Sequence, residues 1–73
     1  MQVILENFRN VLIEEDLQPH QNFFDVGGDS LIAAELLIGL KAAIPANATT
    51  QGVSLRALFE HPTAEGLANY LTS

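Results

Sequence analysis

Phe23-Phe24-Asp25-Val26-Gly27-Gly28-Asp29-Ser30-Leu31 runs without a break into Ile32-Ala33-Ala34-Glu35-Leu36-Leu37-Ile38-Gly39-Leu40. Two adjacent aromatics in an otherwise polar stretch pin a loop onto a core. Gly27-Gly28 then reverses the chain, since glycine is suited to positive φ and lets another backbone approach closely. Asp29 and Ser30 are both good N-cap residues, so a helix opens at one of them and runs to about Ala42. Ser30 thereby offers a hydroxyl at a first helical turn, where unpaired N–H groups and aligned peptide dipoles favour negative charge. That position suits a covalently held phosphate. It does not suit a hydrolytic serine with nothing beside it to activate it.

Three more helices can be read outward from this one. Ile4, Phe8, Val11 and Leu12 follow an i, i+4, i+7, i+8 pattern, which predicts an amphipathic helix from about residue 2 to 15. Leu17, Pro19 and the polar residues to Asn22 form the connection. After the central helix, Pro45, Asn47, Thr49, Thr50 and Gly52 make a second loop. Ser54 caps a short third helix with Leu55, Leu58 and Phe59 at i, i+3, i+4, and Pro62 disfavours helical geometry at His61, so it stops near Glu60. Thr63 caps the last helix, with Glu65 in its positive first turn and a core stripe of Ala64, Leu67, Ala68 and Leu71. The expected fold is all-α, a small four-helix bundle of three longer helices and one short third helix.

Bulk composition bounds the function. A chain of 73 residues is expected to form one domain, 1–73, and at this size only about 60% of the unfolded surface is buried. There is no cysteine for a disulfide, and two well-separated histidines cannot build a zinc site, so no metal is expected. The absence of cysteine fits a reducing cytoplasm. Nine acids against three bases give a formal charge of −6, and Arg9, Lys41 and Arg56 are scattered, which argues against nucleic acid. An acidic surface suits a partner with a basic face, or simply solubility. Met1-Gln2-Val3-Ile4-Leu5-Glu6 has no basic signal-peptide region, and Leu31–Leu40 is too short to span a membrane.

The second helix carries more apolar residues than one stripe needs. Ala33, Leu36, Leu37 and Leu40 make a complete core face at i, i+3, i+4, i+7. Leu31, Ala34 and Ile38 form a second line beginning beside Ser30, and Ile32 adds to the excess; only Glu35 and Lys41 are charged. Either this helix is central and buried on two sides, or Leu31, Ala34 and Ile38 are an exposed patch for a partner.

Three readings compete for Ser30. A helix cap explains the serine alone, but neither the glycines before it nor the stripe behind it. Gly28-Asp29-Ser30-Leu31 also spells the tetrapeptide of a family of serine esterases, yet those place the serine after a strand in a larger α/β domain. Here the candidate bases are His20, in a polar loop, and His61, beside a helix-stopping proline, and a triad needs a base within hydrogen-bond reach. Ile32 also stands where a nucleophile elbow requires glycine. No catalytic residue is expected.

The third reading is covalent attachment. The stretch Phe23 to Leu31 resembles the phosphopantetheine attachment signature of carrier proteins, most closely the peptidyl carrier (thiolation) domains of nonribosomal peptide synthetases. Ser54-Leu55-Arg56-Ala57-Leu58-Phe59-Glu60-His61-Pro62-Thr63 resembles that family's third-helix segment, and Val11-Leu12 a pair in its first helix. The resemblance implies an acyl-carrier-protein-like bundle with 4′-phosphopantetheine, taken from coenzyme A, on Ser30. Asp29, Gly28 and Leu31 complete the attachment motif. It implies a non-catalytic, monomeric, cytoplasmic carrier holding aminoacyl or peptidyl thioesters in secondary-metabolite biosynthesis. Its partners are then a phosphopantetheinyl transferase and adenylation, condensation and thioesterase domains, with Leu31, Ala34, Ile38 and Phe24 as the docking surface. On this reading Asp29 serves transferase recognition rather than stability, and Gly27 and Gly28 keep bulk away from the serine. The sparsely charged second helix and the double glycine favour a peptidyl carrier over a polyketide acyl carrier. A helical interaction module whose Ser30 is never modified is the alternative of a different class.

Overall fold

A computed structural model of the chain describes residues 2–45 and 52–72. Its elements are α1 (Gln2–Leu12), α2 (Ser30–Ala43), α3 (Leu55–Glu60) and α4 (Ala64–Leu71). This is the all-α, four-helix bundle expected, with α3 the short member. Of the second loop, Pro45 and Gly52 are described, while Asn47, Thr49 and Thr50 lie outside the described residues.

The first helix turns Ile4, Leu5 and Phe8 into the core, with Val11 and Leu12 partly buried against it. It ends three residues before the expected Glu15. Ile13 takes a left-handed φ of 55°, and the Glu14 amide donates to the Arg9 carbonyl at 3.0 Å. That bond pattern is a Schellman closure, which ordinarily places glycine at the left-handed position. An isoleucine there gives no sequence signal for a stop, because β-branched residues rarely adopt positive φ.

Residues 13–29 then cross the bundle through long-range bonds. Arg9 donates from Nε (2.9 Å) and Nη2 (2.7 Å) to the carbonyl of buried Leu17. The Glu65 amide donates to the Pro19 carbonyl at 3.0 Å, and the Phe23 amide to the Pro62 carbonyl at 2.7 Å. The loop is thereby fastened to α1 on one side and to the α3–α4 junction on the other.

The central helix buries Ala33, Leu36 and Leu40, while Leu37 is half-buried. From the last helix Ala64, Leu67 and Leu71 complete the core, with Ala68 partly buried. Thr63 Oγ1 accepts from the Gly66 amide and Ser54 Oγ from the Ala57 amide, so both expected caps form. The apolar residues of α3 divide between core and surface. Its inward residues are Ala57 and Leu58, whereas Leu55 and Phe59 are 41% and 54% exposed. Fewer than two turns can direct only one narrow face inward, and the small Ala57 lets that face come close to the core.

Candidate functional site

The Ser30 turn is built from the Phe23 side upward. The Phe23 ring is fully buried and meets Phe8 edge-on, with centroids 5.3 Å apart. Asn22 Oδ1 accepts from the Phe24 amide at 2.9 Å, and the Asn22 carbonyl accepts from Asp25 at 3.1 Å, which tightens the turn. Gly27 has a φ of 108° and open space where a side chain would stand. Gly28 differs: a Cβ there would overlap the ring of Phe23 and lie 2.7 Å from its carbonyl oxygen. So only Gly27 keeps the approach to the serine clear. Gly28 is small because it packs inward on Phe23.

Asp29 is the N-cap of α2, its carboxylate accepting from the Ile32 amide at 2.9 Å. The expectation that Asp29 serves recognition rather than stability is corrected in that respect, since a side-chain N-cap is worth about 0.5–2 kcal/mol. The cap also removes one reading of Ser30, that of a helix cap. With Asp29 in the capping position, Ser30 is the first helical residue, exposed, and its hydroxyl is not the cap. An anionic ester on that oxygen would sit where the helix dipole favours it by about 0.3–1 kcal/mol at an exposed site.

Leu31 and Ile38 are each 71% exposed, and Ala34 is exposed between them. The second apolar line of α2 therefore faces solvent and is not buried by neighbours. Ile32 turns partly into the core. Phe24 is half-buried, edge-on to Phe23, and stacks on Phe59 with centroids 5.1 Å apart and planes 14° from parallel. Phe59 was not singled out in the sequence, since its helical spacing with Leu55 and Leu58 does not say which of the three stays at the surface. Neither histidine is arranged as an orienting base: His20 is exposed in the loop, and His61 stacks on Tyr70 at 4.5 Å. Among the described residues no three histidine, cysteine or acidic side chains gather to hold a metal, and no helix is long and apolar enough to cross a membrane.

The family described as phosphopantetheine attachment site matches residues 2–71. The chain belongs to this family. Its prosthetic group is 4′-phosphopantetheine, held covalently, and an exposed hydroxyl at a helix N-terminus with open space at Gly27 fits that group. Among similar proteins, a linear gramicidin synthase of Brevibacillus parabrevis is 36% identical over 70 residues, 96% of this chain and 1% of the relative. The dapdiamide synthesis protein DdaD of Enterobacter agglomerans is 38% identical over 64 residues, 88% of this chain and 10% of that protein. Indigoidine synthase of Dickeya dadantii is 39% identical over 61 residues, 84% of this chain and 4% of the synthase. This carrier domain thus spans a tenth or less of the length of these relatives.

Proposed function

We propose that residues 1–73 act as a single peptidyl carrier domain, non-catalytic itself, with Ser30 as the attachment residue. The observation that carries this reading is the exposed Ser30 hydroxyl, left out of the cap by Asp29 at the first turn of α2. Inside a separate phosphopantetheinyl transferase, Ser30 Oγ bonds to the phosphorus bearing the pantetheine of coenzyme A. The bond from that phosphorus to adenosine 3′,5′-bisphosphate breaks, and the serine proton passes to the transferase. Bound on Ser30, the arm supplies the thiol for thioesters that a cysteine-free chain otherwise lacks.

Support for peptidyl rather than polyketide cargo comes from relatives named as gramicidin and tyrocidine synthases, and from an α2 bearing only Glu35 and Lys41 as charges. Adenylation, condensation and thioesterase domains are then the further partners, in the cytoplasm, with the carrier as a monomer. Leu31, Ala34 and Ile38, joined by Phe24 through its stack on Phe59, are the docking face. Gly28, Asp29 and Leu31 frame the acceptor.

Intact-protein mass spectrometry tests the attachment. Incubation with a broad-specificity transferase and coenzyme A should add one phosphopantetheinyl group to the native chain and none to Ser30→Ala. No gain in the folded native protein would leave the unmodified interaction module in its place. Loading by an adenylation enzyme then distinguishes a peptidyl from a polyketide carrier.

A further inference from the structure

We infer that Phe23, buried and out of a partner's reach, is a positioning residue for the transfer onto Ser30. The inference rests on the reading of Ser30 as acceptor. Three contacts meet at this one residue. Its amide donates to the Pro62 carbonyl at 2.7 Å, and its carbonyl accepts from the Gly28 amide at 3.0 Å. Its ring, through Cε2 and Cδ2, occupies the space into which a side chain on Gly28 would project.

Only Asp29 separates that contact from the serine, and the Asp29 side chain is itself fixed on the Ile32 amide. Ser30 is therefore held in two ways: by the Asp29–Ile32 cap bond that spans it, and before it by a glycine seated on a buried ring. The ring is anchored in turn on Phe8, a core residue of α1. Gly27, with a φ of 108°, is where the backbone turns freely, whereas Gly28 is where its position is set. Phosphoryl transfer depends on alignment of the attacking oxygen with the leaving group, and a displacement of about 1 Å can cost on the order of a hundredfold in rate. A docking face that is already seated cannot correct such an error.

The experiment compares Phe23→Leu, Gly28→Ala and the double variant in transferase kinetics, at a temperature where circular dichroism and urea titration show each one folded. Each single variant should lower kcat by roughly tenfold or more with KM for the carrier unchanged, because Leu31, Ala34 and Ile38 remain in place. The double variant should recover part of the loss and not all of it, since leucine removes the Cε2 overlap but leaves the Phe23 carbonyl 2.7 Å from the alanine methyl. Native kcat in both single variants overturns the inference, as does a rise in KM alone or a loss that follows the unfolded fraction.

Amide hydrogen exchange provides a reading that needs no transferase. In Phe23→Leu, the Gly28 amide should exchange at least about tenfold faster relative to Leu67, and an unchanged ratio overturns the inference. If the native protein takes no phosphopantetheine while Gly28 exchange rises as expected, it is the assignment of Ser30 that fails.

Discussion

Replacing Asp29 by alanine removes the carboxylate that accepts from the Ile32 amide, while asparagine keeps an acceptor and removes the charge. Asp29→Ala should cost about 1 kcal/mol, read as a fall in Tm of roughly 4–8 °C, with Asp29→Asn close to native. If the charge is read by the transferase, both variants slow modification in a mass-spectrometric time course; a native rate in Asp29→Asn would leave the cap as the sole role. Ile13 offers the opposite case. It is 86% exposed, so it has little burial to lose, yet it sits at a φ of 55°. Left-handed geometry costs a β-branched residue roughly 1–2 kcal/mol, so Ile13→Gly should gain about 1 kcal/mol, seen as a higher urea midpoint at unchanged slope. Ser30 was legible because glycines, cap residues and an apolar run coincide around it. The geometry of Ile13 was not, since its side chain argues against the conformation that the Schellman closure imposes.

At the scale of the helix, α2 separates its two apolar lines by burial. Ala33, Leu36 and Leu40 are fully buried, whereas Leu31 and Ile38 are each 71% exposed. Ile38→Glu should therefore leave the far-UV circular dichroism helical and raise KM for the transferase or an adenylation partner. A melted helical signal would mean that Ile38 helps hold the bundle. Periodicity assigned the first line to the core, but whether the second line is also covered depends on neighbouring elements, and a single sequence does not contain that. The third helix carries the same lesson. Leu55, Leu58 and Phe59 read as one stripe, but Ala57 and Leu58 are the pair that packs inward. In fewer than two turns, spacing alone does not say which apolar residues face inward, and here Ala57 and Leu58 do so.

For the whole molecule, the fastening of residues 13–29 matters as much as helix packing. Arg9 holds the Leu17 carbonyl through two donors, and hydrogen bonds to a charged group contribute about 1.5–3 kcal/mol. Arg9→Met should lose stability of that order in urea unfolding and quicken amide exchange in the loop. A loss within about 0.5 kcal/mol, the range of an ordinary surface substitution, would show that the guanidinium is replaceable. The helix count, the caps and the glycine turn before Ser30 were all readable in advance. The crossing bonds of Pro19 and Pro62 were not, because carbonyl partners distant in sequence leave no local pattern.

Those two bonds, Glu65 to Pro19 and Phe23 to Pro62, each join residues more than half the chain apart. Helices form locally within about a microsecond, but such distant closures come only after the entropy of a long loop has been overcome. The bond that ties the Ser30 turn to the α3–α4 junction, Phe23 to Pro62, thus forms only once the C-terminal segment is in place. Modification at that serine would then select by age: newly made or damaged chains, helical but unclosed, would go unloaded, and cargo would be entrusted only to finished molecules.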